Sequence, residues 1–318
     1  MLQVGELADP EPGPGEVRVR LALSGISPGD TKKRRGWLGS SMPYPRVVPH
    51  SDGVGVVDAV GAGVDVERVG ERVWVYNAQS YRAFGTAAEL TVVPAATAVV
   101  LPGAVPDEIG ACLGIPGVTA HRAVFADGPV HGQTVLVQGA LGAVSSLAAQ
   151  LAVRDGATVV STVRRTSDLA GLPDRLREHA VALDSPDPAA GVRRHAPHGV
   201  DRVVEVAFSD NVDLDAAVTR NGAVVAAYAT RADRPSFDFW PMLFDNVTIR
   251  LLGSDDFPEA AKQQAATDLT AAAAAGDLEI RVADPVPLGA AAQAHDQVDA
   301  DNRRRVLLDV TSAAGGRA

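Results

Sequence analysis

The sequence predicts a mixed α/β protein with two domains, a β-rich barrel-like domain and a doubly wound parallel sheet. The chain has 318 residues, which is enough for two separate cores. About the first 100 residues form short alternating runs separated by glycine-rich or polar loops, a pattern typical of a small β domain. Strand-like and helical segments then alternate after Pro116, which indicates right-handed crossovers with helices on both faces of a sheet.

The β-rich domain is predicted from four strands. Each run alternates apolar and polar residues or is bounded by turn residues, as in a half-buried strand. They lie at 17–24, 53–60, 72–76 and 87–93. The Pro- and Gly-rich segment PEPGPGE before the first run is a stiff entry to the sheet.

The second domain is predicted from six strands and the helices between them. The strands lie at 134–138, 157–163, 181–183, 201–207, 222–229 and 247–253. The helices lie at 142–154, 167–180, 187–194 and 211–219. After them we expect a long Ala-rich helix at 258–275, a helix at 289–298 and a strand at 305–310 that returns to the first domain.

Composition excludes several classes of function. A formal net charge of −10 argues against nucleic acid or an anionic membrane as the partner. Cys112 is the single cysteine, so neither a disulfide framework nor a cysteine-rich zinc lobe is possible. No basic, apolar leader opens the chain and no apolar run reaches the ~20 residues of a membrane helix. We expect a cytoplasmic protein, of bacterial origin from its Ala-, Arg-, Asp- and Val-rich composition.

The segment VLVQGALGAVSSLAAQ, residues 135–150, predicts a strand, a glycine turn and a helix. In the Rossmann arrangement this turn holds a dinucleotide pyrophosphate on the amides of the helix N-terminus. Gly139, Gly142, Ala143 and Val144 are the predicted binding residues, and Ser145 stands where a third glycine is usual. We expect the serine to shift the helix slightly without loss of the site. The alternative is an ordinary strand–helix turn.

The end of the next strand predicts which dinucleotide binds. An NAD site has an acidic residue there for the ribose hydroxyls. This chain has Arg164 and Arg165 instead, in STVRRTSD, and arginine suits the 2′-phosphate of NADPH. Two solvated surface arginines are the alternative. Ligands gather at the carboxyl ends of parallel strands, so Ala207, Phe208 and Tyr228 are expected near the cofactor, with core packing as the alternative.

Several segments, in order, carry a resemblance to a known family. They are PEPGPGEVRVRL, GISPGDTKKRRG, VPHSDGVGVVDAVGAGV, GERVWVY, GTAAELTVVP, LGIPGVTAHRAV, VLVQGALGAVSSLAAQLA and NVTIRLLGSDDFP. The chain resembles the medium-chain dehydrogenase/reductases, within them the zinc-free quinone oxidoreductases related to zeta-crystallin.

The resemblance implies a GroES-like β-barrel domain, here at 1–103 and 280–318, and a Rossmann domain that binds NADPH, here at 104–279. It implies an oxidoreductase that transfers hydride to a quinone or an α,β-unsaturated carbonyl, as a homodimer. Thr119 matches the family's threonine near the nicotinamide. FDFWPMLFDN, residues 237–246, is expected to line the substrate pocket or a subunit contact, with core packing as a close alternative.

The resemblance also indicates whether the protein binds a catalytic zinc ion and which residues could donate a proton. Zinc-dependent relatives carry a Cys and a His at the positions of Ser27 and Ser51, so no zinc ligand set is expected. Without a metal, the oxyanion formed by hydride transfer needs proton donors or hydrogen bonds. The candidates come from segments that border the family's cleft. They are Lys32, Tyr44, His50, Asp52 and Tyr81, with a structural role as the alternative for each.

Departures from the family pattern leave two other functions open. Ser27, Lys32, Ala143 and Ser145 differ from its commonest residues. A non-redox biosynthetic enzyme, such as a cyclase or lyase, could use the same fold. A nucleotide-binding protein without catalysis is the other alternative.

Overall fold

The computed structural model describes residues 2–36, 44–300 and 303–311, which fall into two compact units. The first unit comprises Met1–Val118 and Lys262–Ala318, and the second comprises Thr119–Ala261. The first unit thus extends past the expected bounds at 103 and 280. Its extra segments pack together, since a Cβ on Gly117 would lie 3.0 Å from Leu269 Cδ1. The Trp74 indole N–H also donates to Thr270 Oγ1, 3.0 Å away.

Seven strands form one largely antiparallel sheet in the first unit. They are β1 (Glu16–Gly25), β2 (Asp52–Val60), β3 (Arg72–Val75), β4 (Leu90–Pro94), β5 (Ala98–Val100), β12 (Val286–Pro287) and β13 (Leu307–Asp309). The order is β12-β13-β1-β2-β3-β5, and β4 pairs with β1. Alternate residues of β1, including Val17, Val19 and Leu21, are buried, as the period of two predicts. The terminal strand does return to this sheet, because Leu23 pairs with Asp309.

The helices with residues in the first unit are α1 (Pro28–Arg34), α2 (Asp107–Gly110), α3 (Ile115–Phe125), α9 (Glu259–Ala274) and α10 (Ala291–Asp299). Pro28 begins α1, where its missing N–H costs nothing. The Asp30 carboxylate accepts the Ser27 amide at 2.7 Å and caps the same turn. The sequence reasoning placed no helix at α1 or α3.

Six parallel strands form the sheet of the second unit. They are β6 (Thr134–Val137), β7 (Thr158–Val163), β8 (Ala180–Ala182), β9 (Val200–Glu205), β10 (Thr219–Ala227) and β11 (Thr248–Leu251). The order is β11-β10-β9-β6-β7-β8. The chain therefore runs outward in one direction after β6 and in the other after β9, which makes the β6–β9 boundary the topological switch point. All six strands match predicted ones.

The helices of the second unit are α4 (Ala143–Arg154), α5 (Asp174–Arg177), α6 (Pro188–His195), α7 (Phe208–Val218) and α8 (Phe239–Phe244). The single helix expected at 167–180 is wrong: a 3₁₀ segment, Thr166–Gly171, and the short α5 replace it. Pro173 lies between them and has no N–H to continue a helix. In the described part of the chain, no helix is both long enough and apolar enough to cross a bilayer.

Two histidines form a buried polar cluster in the first unit. His50 Nε2 and His295 Nε2 are 2.8 Å apart, and the rings stack at 5.0 Å. His50 Nδ1 lies 2.9 Å from Ser24 Oγ, which in turn lies 2.8 Å from Thr86 Oγ1. Burial lowers the pKa of His50 to about 3, with a smaller effect from the Arg305 charge. Burial and then the His50 charge lower the pKa of His295 to about 4.

The histidine pair predicts acid sensitivity. Each ring has a pKa below the ordinary value of about 6.5, so the unfolded chain binds more protons as pH falls through the window from 6.5 to 4. We expect the stabilisation from this pair to be complete above pH 6.5 and to fall by roughly 1–3 kcal/mol by pH 4. His295→Gln should lose less stability over this interval than the wild type.

Urea denaturation at a series of pH values measures this effect. His198→Gln is the matched control, because His198 is exposed in the second unit. Identical pH profiles for the wild type and His295→Gln would contradict the prediction.

Candidate functional site

The carboxyl ends of β6 and β9 lie at the topological switch point of the second unit, where a parallel sheet of this order has a crevice. Open α/β sheets bind ligands at this place. The glycine turn that follows β6 lies here, together with the start of α4.

The glycine turn takes a backbone shape that glycine makes possible. Gly139 has φ +63°, in the left-handed region, and a Cβ there would lie 3.1 Å from Val206 Cγ1. Its amide donates to Thr162 Oγ1 at 3.0 Å, and the Gly142 amide donates to the Gly139 carbonyl at 2.8 Å. The turn is therefore tied both to itself and to the neighbouring strand β7.

Gly142 is the N-cap of α4 and has no side chain to cap the helix. The first helical bond runs from the Ser146 amide to the Gly142 carbonyl, 2.8 Å. The amides of Ala143, Val144 and Ser145 precede that bond, so the helix itself supplies no acceptor for them. A 12-residue helix concentrates partial positive charge at this end. The three amides suit a phosphate.

Ser145, which stands where a third glycine is usual, faces inward. Its residue is completely buried, and its Oγ donates to the Gln138 carbonyl at 2.7 Å. The same Oγ lies 2.8 Å from the hydroxyl of Tyr228. The Ser145 side chain, which replaces the usual glycine, thus bonds to the end of β6 and to the residue that follows β10.

The two arginines that are predicted to bind the 2′-phosphate of NADPH directly follow β7. Arg164 and Arg165 are both exposed. The next residue anchors the loop, because the Thr166 amide and hydroxyl both donate to Asp184 Oδ1, at 2.9 and 2.8 Å. The two guanidinium groups are consequently carried at the same edge of the sheet as the glycine turn.

A buried polar network lies below the turn, and the sequence reasoning missed it. Gln138 donates to Asp215 Oδ1 at 2.8 Å and accepts from Thr162 Oγ1 at 2.7 Å. Burial raises the pKa of Asp215 well above its ordinary value, and the Glu205 charge adds to that rise. Burial also raises the pKa of Glu205, whose carboxylate accepts from the Asn211 amide at 3.1 Å. Two such carboxyl groups favour retaining a proton.

Only one sequence signal pointed to this network. Glu205 is an acidic residue inside the apolar run RVVEVA, and a charge in a buried strand requires a partner. Its partner, the Asn211 side-chain amide, and the second carboxyl, Asp215, are both on the following helix, α7. No pattern in the sequence shows that Glu205 and Asp215 lie side by side.

The other predicted cofactor residues have different environments. Ala207 is the N-cap of α7 and is half-buried. Phe208 packs in the hydrophobic core of the second unit, so core packing, the alternative considered for it, is what the structure has. Thr119 is buried on α3. Tyr228 lies one residue beyond β10, and its amide donates to the Glu205 carbonyl at 3.0 Å.

In the first unit the structure brings two of the catalytic candidates together. The Tyr44 hydroxyl donates to the Tyr81 carbonyl at 2.6 Å. Both residues line a cavity of about 250 Å³ with Pro10, Arg82, Ala83, Phe84 and Val92. Tyr81 has φ +52° and its side chain is 71% exposed. A bulky residue in the left-handed region is uncommon, and such strain is frequent at functional sites.

The remaining candidates do not join this cavity. Lys32 is half-buried on α1. His50 is fully buried in the histidine cluster, which favours a structural role. Asp52 is also buried and accepts the Ile115 amide at 2.7 Å. It lies 3.7 Å from the Arg305 guanidinium.

The two positions considered for zinc both hold buried serines, Ser27 and Ser51. Among the residues that the structure describes, no group of three or more His, Cys, Asp or Glu side chains is arranged to hold a metal ion. This finding includes the two histidines of HAPH, residues 195–198.

Residues 13–103 match the family model of the alcohol dehydrogenase GroES-like domain. The chain is 32% identical to the human (Homo sapiens) synaptic vesicle membrane protein VAT-1 homolog over 206 residues, 64% of this chain and 51% of that protein. It therefore spans about half of that relative's length. It is 28% identical to a rat (Rattus norvegicus) quinone oxidoreductase over 300 residues, 91% of this chain and 87% of the relative.

Solved structures share the same architecture. An alcohol dehydrogenase superfamily protein from Novosphingobium aromaticivorans aligns with a TM-score of 0.85 at 26% identity, over 96% of this chain and 95% of that one. An Escherichia coli quinone oxidoreductase complexed with NADPH aligns with a TM-score of 0.83 at 19% identity, over 96% and 94%, a likeness of fold alone. The chain thus carries an alcohol dehydrogenase GroES-like domain, shares the architecture of alcohol dehydrogenase superfamily structures, and is similar to quinone oxidoreductases over most of its length.

Proposed function

We propose that the protein is an NADPH-dependent oxidoreductase that transfers hydride to a quinone or an α,β-unsaturated carbonyl without zinc. The observation that carries the proposal is the glycine turn at the switch point, with uncapped amides at the start of α4. The E. coli quinone oxidoreductase that shares this fold was solved with NADPH, and we extend that cofactor to this chain as part of the proposal. The rat quinone oxidoreductase supports the substrate class.

The residues at the crevice fit a dinucleotide phosphate. The amides of Ala143 and Val144 would hold the diphosphate, because they face it from a helix with no side-chain cap. Arg164 and Arg165 would bind the 2′-phosphate, for which a planar guanidinium is well suited. When bound, NADPH supplies the hydride.

The protein must then stabilise or protonate the oxyanion of the product. Lys32 is the candidate acid on α1, and Tyr44 and Tyr81 are candidates on the cavity of the first unit. His50 is neutral and buried, so we assign it to holding the fold. Zinc independence is supported by serine at the two positions considered for ligands.

We also propose that the protein forms a homodimer through the edge of the second unit's sheet. β11 is the terminal strand of that sheet, and an edge strand offers its backbone groups to a second chain. Beside it, α8 exposes Trp240 (65%) and Phe244 (72%), and Leu251 on β11 is 75% exposed. We call these three residues the edge patch. An apolar surface of this kind next to a free edge suits a two-fold contact with a second copy.

The Arg pair predicts cofactor selectivity. Arg164→Ala combined with Arg165→Ala should weaken NADPH at least tenfold and leave NADH within about twofold, because NADH lacks the 2′-phosphate. Fluorescence titration with both nucleotides measures the two dissociation constants. Arg193→Ala with Arg194→Ala, an exposed pair on α6, is the control. An equal loss for both nucleotides would refute the assignment.

Turnover tests the reaction itself. With NADPH, the protein should reduce 9,10-phenanthrenequinone or a simple enone, followed as loss of absorbance at the nicotinamide band. Lys32→Met should lower kcat by roughly 100-fold if Lys32 is the acid, whereas Lys33→Met should change it little. Tight binding of NADPH without turnover of any quinone or enone would favour the cyclase or lyase alternative. No binding of NADPH at all would contradict the proposed reaction.

The edge patch predicts the oligomeric state. The wild type should elute as a dimer in size-exclusion chromatography with light scattering. Trp240→Glu combined with Phe244→Glu should yield monomer, because charges at the centre of an apolar interface lose their hydration. Val66→Glu is the control, since Val66 is equally exposed (70%) but lies in the first unit. A monomeric wild type would contradict the proposal.

A further inference from the structure

The hydrogen bond between Tyr228 and Ser145 spans the crevice of the second unit. Tyr228 directly follows β10, and Ser145 is in the first turn of the helix that follows β6. In the sheet, β9 lies between β10 and β6. Neighbouring strands are ~4.8 Å apart, so the phenol ring must cross the carboxyl end of β9 for its hydroxyl to come within 2.8 Å of Ser145 Oγ.

The direction of the bond follows from the number of protons. Ser145 has one hydroxyl proton, and the Gln138 carbonyl, 2.7 Å away, can only accept it. The Tyr228 hydroxyl must therefore donate to Ser145 Oγ. Burial raises the pKa of Tyr228, which keeps that proton on the phenol at all physiological pH values. The bond is thus between two neutral groups with fixed roles.

The same strand ends must accommodate the nucleotide in the proposed function. The dinucleotide extends from the first turn of α4 along the carboxyl ends of the sheet at the switch point. The Tyr228 hydroxyl is bonded to Ser145 in the first turn of α4, so its side chain lies beside the amides of the proposed phosphate site. The ring and the nucleotide therefore compete for one space.

We propose that Tyr228 and Ser145 form a latch that closes the dinucleotide crevice, and that the nucleotide binds only when the latch bond breaks and the tyrosine side chain turns away. The latch makes these two residues determinants of nucleotide affinity. This inference depends on the proposed function. The fraction of protein with an open latch reduces the apparent affinity for any nucleotide.

Tyr228→Phe tests the latch, because it removes the donor and keeps the ring. We expect the dissociation constant for NADPH to fall by about threefold to tenfold, since a buried neutral hydrogen bond contributes a modest net free energy. Tyr228→Ala also removes the ring and should tighten binding further. Ser145→Ala removes the acceptor and should act in the same direction as Tyr228→Phe. Ser146→Ala is the matched control, because its hydroxyl bonds Gln150 and its removal leaves the latch intact.

Calorimetric titration of the full-length protein with NADPH gives these constants, and circular dichroism checks that each variant is folded. Tighter binding by Tyr228→Phe and Ser145→Ala, or binding by Tyr228→Ala when the wild type binds none, supports the latch. Unchanged or weaker binding by these variants, with a wild type that binds, overturns the latch and leaves the proposed function intact. A purely structural role for the bond gives that weaker binding. No binding by any of the proteins overturns both.

Discussion

One serine hydroxyl connects three segments of the second unit. Ser145 Oγ bonds the end of β6 through Gln138 and the end of β10 through Tyr228, from the first turn of α4. A buried hydroxyl without partners is costly, so these bonds fix where the helix begins relative to the sheet. The amides of the proposed phosphate site belong to the same turn, so the bond between this turn and Tyr228 bears directly on ligand access.

A buried network of hydrogen bonds lies beneath the glycine turn and also fixes its position. Gln138 connects to Thr162 and Asp215, and Thr162 in turn accepts the Gly139 amide. These bonds lie in a low-dielectric interior, where a polar group is costly to leave unpaired. They hold the glycine turn in shape. Tyr228 adjoins the same turn through its bond to Ser145.

The first unit has a comparable division between fixed and accessible groups. Its histidine pair is neutral and buried, with both ring nitrogens of His50 close to bonding partners. Tyr44 and Tyr81, by contrast, border a cavity. The catalytic candidates of the first unit thus differ in access: His50 is buried, whereas the two tyrosines border a cavity.

The sequence predicts much of the fold, since strand periodicity depends on local burial alone. All six strands of the parallel sheet were predicted, and so was the return of β13. The single helix expected at 167–180 does not form, because Pro173 has no N–H to continue a helix through this otherwise helical pattern. Within the site, the glycine turn and Arg164 and Arg165 could be predicted from their spacing. The inward direction of Ser145, the Glu205–Asp215 pair and the position of Tyr228 depend on contacts between distant segments, which no local pattern encodes.

A crystal structure of the protein soaked with NADPH decides whether the nucleotide binds at the start of α4. We expect diphosphate density at the amides of Ala143 and Val144, with Tyr228 turned away from Ser145. A crevice without nucleotide at saturating NADPH, with the Tyr228–Ser145 bond still formed, would contradict it.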